Sequence, residues 1–599
     1  MKRKLRLLAI PARYFTLSII LLLFAFCANA QKQVSGVVKS ATGPVAGATV
    51  AVKGASVATQ TATDGTFSLT VPAGKSVLVI SYVGLETREV DVSSQSSVDL
   101  TLAAVISSLN EVVVTGYSTQ RKKDIIGAVS VIDSKELKQT AASNLAVQLQ
   151  GRAAGVVVTS TGAPGAAAIV RIRGFQSFGN NNPLYIIDGV PTGDPSLLNP
   201  MDVSSVQILK DASSASIYGT RAANGVVIVT TKQGRPGRAT VTYEGYVGVQ
   251  KISDEMKPDL LNNQRYVEYL ERSSAAGTTL RVFGTQGAFK LPANIIVSDA
   301  FKGGVPAGDP RADPAKYNID PTKPFYQILA TTPEGSNWFD EITRTGLIQS
   351  HQITASGGTE KALYTFGANY FEQEGTFKFT NYKRYTARLN TAFKPVNWLR
   401  FGENLQVSYE DRLGNDQRNE GGAWSSAFRM VPYIPVYDIN GGWGGNGVGE
   451  SGNGNNPVAF LYRQKDNKNL LNKIFGNFFA EALIGDFLTA RTSFGIDNGS
   501  QFEKIINYKT YERSENQAAT DLREQGYTYI NWTWTNTLNY QKVFATNHDV
   551  KLMVGTEAIR NKSRGSGGTG VGFDFDDPGF ISLNTSGIPG RTTYTYNLG

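Results

Sequence analysis

One cysteine, Cys27, and two histidines, His351 and His548, are all that 599 residues contain of those metal- and redox-active side chains. Cys-rich zinc sites, disulfide frameworks and multi-histidine metal clusters are therefore excluded. Acids are plentiful, but no nucleophile motif or metal triad accompanies them, so the chain reads as a non-enzyme that carries no cofactor. Beyond residue 30 no apolar run reaches the roughly 18 residues of a membrane-spanning helix. Charge is sparse as well, at 18% of residues. The formal net charge is +9, yet Lys2, Arg3, Lys4, Arg6 and Arg13 precede the first acid, and without them only +4 remains. So thin an excess excludes a nucleic-acid partner.

What is present begins with an export signal. Residues 1–30 combine the basic segment just described, an apolar run from Phe15 to Cys27, and Ala28-Asn29-Ala30 before Gln31. The small-x-small ending fits signal-peptidase cleavage, and the run is too short for a retained anchor. Lipidation of Cys27 is disfavoured by the large Phe26 before it. The mature chain then begins at Gln31 without any cysteine, in keeping with an oxidising compartment.

Three patterns follow. Residues 31–104 alternate short β-rich runs ("VSGVVKS", "ATVAVKG", "GTFSLTV", "SVLVISYVG", "REVDV", "VDLTL") with Gly, Pro and Asp, which predicts a small β-sandwich. Gly74-Lys75-Ser76 lacks the upstream glycine of a phosphate loop, since Leu69 stands there, and reads as a hairpin turn. Residues 118–235 mix glycine-closed helical pieces, "NLAVQLQGRAAG" and "DASSASIYGTRAA", with strands "AIVRIRG", "PLYIIDGV", "VSSVQILK" and "GVVIVTTK", a compact α+β domain.

From residue 238 to 599 the strands lengthen. In "ATVTYEGYVGVQ" Val241, Tyr243, Val247 and Val249 face one way, and Thr242, Glu244 and Gln250 the other. The same dyad recurs in 362–371, 382–393, 399–409, 488–496, 527–540 and 550–559, with aromatic residues near the ends of the runs. Runs of ten or more exceed the usual five or six residues of soluble strands, and with the aromatic girdles they point to a transmembrane antiparallel β-barrel. Only Glu403 breaks the apolar face of Leu399, Phe401, Leu405 and Val407, and it is expected at a pore-facing bulge or a partner contact.

Residues 33–102 resemble the carboxypeptidase-regulatory-like domain through Gly36, Gly43-Pro44, Gly47-Ala48, Thr63-Asp64-x-x-Phe67 and "ISYVGLETREV". The segment "LNEVVVTGYSTQRKKDIIGAVSVI" resembles the energy-coupling box and the start of the plug in SusC/RagA-type TonB-dependent outer-membrane receptors. "VRIRGFQSFGNNNPLYIIDGVP" and "LNPMDVSSVQILKDASSASIYGTRAANGVVIVTTKQG" are similar to that class's plug almost residue by residue, and the likeness continues through "HQITASGGTEKALYTFGANYFEQEGTFK" and "KRYTARLNTAFKPVNWLRFGENLQVSY". The resemblance implies a mostly β protein of the outer membrane: sandwich, box at 109–117, plug, and a barrel of 22 strands when complete. About ten strand candidates, and an ending "TTYTYNLG" without a terminal aromatic residue, lead us to expect an N-terminal portion. Half a barrel would leave unpaired strand edges in lipid and would not transport alone.

Site residues follow from this frame. Glu111, Val112, Val113, Val114, Thr115, Gly116 and Tyr117 form the expected box; β-branched residues next to glycine suit strand addition to another protein's sheet edge, although a two-faced core strand would use the same residues. The resemblance names the partner as TonB, energised by the inner-membrane ExbB-ExbD complex. Arg171, Arg173 and Arg221 are expected to hold the plug to acids of the barrel wall, with ordinary surface arginines as the alternative. Asp188-Gly189 and Asn224-Gly225 read as turns more than as ligand contacts. Substrate contacts are expected from the loops "YDINGGWGGNGVGESGNGNNP" and "GTGVGFDFDDPG", with Trp443 stacking on a sugar ring and Asp574, Asp576 and Asp577 as solvated acids or, less readily, calcium ligands. The implied function is import of oligosaccharides or peptides with a SusD-like surface lipoprotein; a signalling or adhesive receptor is the alternative.

Overall fold

The computed structural model describes residues 32–589 and 594–598, apart from 41–42, 73, 83–84, 103–111, 116–117, 122–128, 177, 197, 321, 415–421, 514–515 and 545–547. The expected signal peptide and Glu111, Gly116 and Tyr117 lie outside the described residues. The chain divides into two compact units, one reaching from the N-terminus to residue 112 and the other made chiefly of residues 125–599.

The first unit is a sandwich of two four-stranded sheets. In one, Lys32–Ser40 is flanked by Thr66–Val71, antiparallel, and Ser97–Thr101, parallel. In the other, Thr49–Val52 lies between Ala58–Gln60 and Val77–Tyr82, and Leu85–Asp91 completes the sheet. Strict alternation puts Phe67, Leu69 and Val71 inside with Val34, Val38, Leu78 and Ile80. Gly36 is obligatory, because a Cβ there would lie 2.1 Å from the Val98 carbonyl oxygen.

The second unit opens with the α+β domain. Its five-stranded sheet runs Val129–Asp133, Val203–Leu209, Val226–Thr231, Leu184–Ile187, Val190–Thr192 in spatial order. Short helices are capped by Asp133 and Asn144, whose side chains accept backbone N–H groups at the helix starts. Asp188 and Gly189 both take positive φ, 47° and 88°, which makes the two-residue turn between the last two strands. The domain has its own apolar core, including Ile132, Leu145, Ile172, Ile187, Val206 and Val229.

Around it runs an antiparallel sheet of eleven strands. Nine are long: Gly237–Gln250, Gly346–Gly358, Ala362–Glu374, Asn381–Val396, Leu399–Leu413, Lys468–Ile484, Leu488–Asn507, Asp521–Phe544 and His548–Val571. Short turns such as Val396 to Leu399 join them at one end and long connections at the other, the asymmetry of outer-membrane barrels. The sheet inverts ordinary burial. Ser350, Gln352, Asn369, Arg384, Arg388, Asn404, Gln406 and Asn477 are buried, whereas Val241, Tyr243, Phe366, Leu389, Val407 and Phe478 are exposed. The dyad of Gly237–Gln250 falls as expected, Val241, Tyr243, Val247 and Val249 outward.

Rings frame the outward face. Tyr370, Tyr385 and Tyr409 neighbour one another near the long connections, and Phe393 and Phe401 pair near the short turns. On the Leu399–Leu413 strand the two levels are eight residues apart, roughly 26 Å along the strand at about 3.3 Å per residue, or about 20 Å of height at a tilt of about 40°, close to an apolar band about 25 Å tall. Glu403 is not at a pore-facing bulge, one of its two expected settings. It pairs in unbroken register with Thr391 on the outward face, where the Thr391 hydroxyl donates to its carboxylate at 2.6 Å; the only register shift in that strand pair lies between Phe393 and Val396.

The connections between Gln250 and Gly346 and between Leu413 and Lys468 fold together. Asn263–Ser273 and a three-stranded sheet of Lys302–Val305, Asn294–Ser298 and Tyr326–Ala330 come from the first, and Ala423–Arg429 and Pro457–Arg463 from the second. Their shared core holds Phe283, Ile295, Leu329, Trp338, Ile434 and Val458.

Leu405 lies midway between the two ring levels on the outward face. Leu405→Arg is expected to lower unfolding free energy in lipid by about 2–4 kcal/mol, the cost of a midplane cation, and Leu405→Phe by little; denaturant titration of the complete protein in lipid vesicles measures both.

Candidate functional site

The inward face of the large sheet and the α+β domain meet through polar side chains. Alternation on Asn381–Val396 brings Arg384, Arg388 and Asn390 inward. Arg388 forms an ion pair with Asp188 at the hairpin turn and donates to Thr231 Oγ1 at 2.6 Å. The Asp188 carboxylate also accepts from the Thr231 amide, 2.9 Å, and hydroxyl, 2.7 Å, while Asn477 donates to the Asp188 carbonyl at 2.9 Å. A second group holds the hairpin's other arm: Lys473 and Asp497 of the sheet pair at 2.9 Å, and Asp497 accepts from Thr192 at 2.7 Å. Both ion pairs are over 90% buried.

Further links lie along the seam. Arg384 donates to the Ser143 carbonyl at 2.6 Å, Gln233 to Asn404 at 2.9 Å, and Gln352 accepts from Asn199 at 2.7 Å while donating to Asp202 at 3.0 Å. Burial raises the pKa of Asp202, against the lowering influence first of Arg388 and also of the Asn199 hydrogen bond. Phe475 is the sheet's apolar contribution to the domain's core.

Beside the hairpin lies a cleft of about 710 Å³ between the domain and the last long strands. Asn182, Thr192 and Asn224 line one side, and Tyr527, Tyr529 and Asn531 the other. The lining mixes amides, hydroxyls and ring faces with apolar side chains such as Val190 and Ile559 and the charged Arg221 and Lys562.

Residues 121–226 match the TonB-dependent Receptor Plug Domain model, and residues 34–114 the CarboxypepD_reg-like domain model. A TonB-dependent receptor of Formosa agariphila is 30% identical over 94% of this chain and 52% of its own length. TonB-dependent receptor SusC of Bacteroides thetaiotaomicron is 30% identical over 63% of this chain and 33% of its own. The chain is a SusC/RagA-like TonB-dependent receptor. The structure of the RagAB peptide importer in its open-open state shares the fold, with a TM-score of 0.67 and 24% identity over 82% of this chain and 53% of that one. This chain thus spans about half the length of the relatives it matches across most of its own sequence. The family is one of outer-membrane β-barrel transporters rather than enzymes, so the α+β domain is the plug and the large sheet part of the barrel wall.

The arginines expected to hold the plug divide. Arg221 pairs with Glu557 of the wall. Arg171 and Arg173 are corrections: Arg171 donates to Asn182 at 2.7 Å, and Arg173 pairs with Asp211, both inside the plug. The wall itself supplies the buried cations Arg384, Arg388 and Lys473. Asp188-Gly189 is a turn, as read, and its aspartate is also an anchor.

Of the box, Val112–Thr115 is a strand paired with Ser118–Arg121. Trp443 belongs to the core of the folded connections, its ring between Tyr437 at 5.1 Å and Tyr462 at 5.4 Å. The glycine-rich stretch around it is packed rather than loose, since a Cβ on Gly444 or Gly445 would come within 2.1 or 1.8 Å of a carbonyl oxygen. Asp574, Asp576 and Asp577 are exposed. Asp576 accepts from Thr520 at 2.8 Å and pairs with Lys509 at 3.0 Å, and Asp577 accepts from the Gly579 amide at 2.8 Å. No cluster of three potential metal ligands occurs among the described residues.

Arg388→Gln strands the Asp188 carboxylate and should weaken plug docking by about 3–5 kcal/mol, read as faster hydrogen exchange in Leu184–Thr192; adding Asp188→Asn should restore much of the protection. For Asp202 the raised folded pKa sets the sign. Docking is full when the group is protonated, below its unfolded pKa, and weakens as pH rises through the raised value. Asp202→Asn should remove that component from exchange protection measured across pH.

Proposed function

We propose that the complete protein imports oligosaccharides or peptides across the outer membrane, with TonB docking at Glu111–Tyr117 and a SusD-like lipoprotein presenting the cargo. One observation carries the reading: the plug has its own apolar core, yet its seam with the wall is chiefly hydrogen bonds and ion pairs. Such a seam can exchange its partners for water, so the plug can shift without unfolding its core.

The strength of the seam is uneven. Near the plug's start, Lys138 meets Glu244 of the wall in a half-exposed pair at 2.7 Å, a geometry worth little in water. The hairpin is held by buried pairs. Force applied at the box therefore meets the weak contact first. Cargo would travel along the cleft beside the hairpin, where amides, hydroxyls and rings offer hydrogen bonds and stacking to sugar hydroxyls or to a peptide backbone.

The test is growth of cells carrying the complete gene on mixed oligosaccharides or peptides as sole nutrients, wild type against a deletion of Glu111 to Tyr117. Uptake lost with normal membrane insertion is the expected result and names the cargo class. Unchanged uptake of every nutrient would reject import and favour a signalling receptor.

A further inference from the structure

Residues 375–380 join Ala362–Glu374 to Asn381–Val396 on the side of the long connections, and they are gripped from two directions. The plug reaches them from inside the wall. Its loop between Val156–Thr159 and Ile169–Ile172 carries Gly165, where a Cβ would run into the buried ring of Tyr382. Beside it, Pro164 Cγ lies 2.8 Å from where a Cβ on Gly375 would stand. Asn144 fixes this loop by donating to the Ala166 carbonyl at 2.9 Å, and Tyr382 is fixed by the hydrogen bond it donates to Glu410.

From the other direction the long connections take hold. Arg344, just past the helix Trp338–Ile342 of their shared core, donates Nε to the Gly375 carbonyl at 3.1 Å and Nη2 to the Thr380 carbonyl at 2.9 Å. The Lys378 amide donates to the Ile342 carbonyl at 2.9 Å. Two rings reach the second connection edge-on: Phe377 meets Trp424 at 6.1 Å, and Phe379 meets Tyr462 at 5.5 Å. Phe379 makes its contact at φ 61°. Bulky side chains seldom adopt that left-handed conformation, and it persists only where the surroundings impose it.

We propose that this turn is a relay tying the seating of the plug to the packing of the long connections, so that shifting the plug loosens the outer side through which cargo enters. Phe379 is the element with two states. Gripped from both directions it stays left-handed; with the plug's support withdrawn it relaxes to negative φ and draws its ring away from Tyr462. A coupling free energy is shared by the two sites it links, so loosening the connections also loosens the plug loop. The use in import rests on the function proposed above; the coupling itself does not.

The test is hydrogen exchange of the complete protein in nanodiscs, read in Ala423–Arg429 and Pro457–Arg463, with Val203–Leu209 reporting that the plug stays folded. Gly165→Ala, which presses on Tyr382, should accelerate exchange in both helices about fivefold, the lower end of coupling between linked sites. Tyr382→Leu, which removes the ring without adding volume, should do the same and replaces Gly165→Ala if that variant does not insert. In a Phe379→Gly background, which cuts the contact with Tyr462 and releases the strain, either change should leave Pro457–Arg463 unmoved. Phe379→Gly alone should accelerate exchange in residues 161–167 of the plug. Unchanged exchange in both helices of the folded variants would overturn the proposal. So would equal acceleration of Pro457–Arg463 with and without Phe379, because additive effects mark independent sites. Exchange is read without any cargo, so either result stands whether or not uptake is observed.

Discussion

A strand in lipid has no water to satisfy its backbone, so every N–H and C=O must be paired with a neighbouring strand. That constraint produces the long antiparallel ladder from Gly237 to Val571, and the ladder fixes everything inside it. Successive side chains point to opposite faces, so the residues that meet lipid and those that meet the plug alternate along one strand. Gln406 and Val407 are adjacent in sequence; the first is buried among polar groups and the second is exposed to the apolar surroundings.

An inward face of Arg, Lys, Asn and Gln cannot be left dry without partners. The plug supplies them through its turns: Asp188, Thr192, Asn199 and Asp202 all lie in or beside turns that meet the wall. Because the contacts are polar, the plug can sit firmly in place yet remain separable from the wall. A seam of valines and leucines would hold through continuous apolar burial, and withdrawing it would expose that surface to water.

Much of this was legible in the sequence. The six β-rich runs of the sandwich, the strands of the plug and the dyads at 362–371 and 399–409 all fall where the periodicity puts them, because alternation is a local property. Lys468–Ile484 was harder to read. Its inward face carries Phe475 and Phe479 as well as Lys473 and Asn477, while Ile474 and Phe478 point outward, so apolar residues fill both faces and the alternation disappears. The stretch around Trp443 looked like a loose loop for the opposite reason: its glycines mark close backbone packing against Pro435 and Glu512, which local composition does not distinguish from flexibility.

The sequence by itself determined the order of domains, the inverted amphipathicity of the wall and the tight turn at Asp188-Gly189, since each depends on residues only a few positions apart. Only the tertiary structure decided which charges hold the plug. Asp188 and Arg388 are separated by 200 residues, and Thr192 and Asp497 by 305. Arg171 and Arg173, equally plausible by type, are satisfied inside the plug by Asn182 and Asp211. A buried charge is stabilised by the group that folding brings to it, and its identity depends on strand register across the whole sheet, which no local pattern encodes.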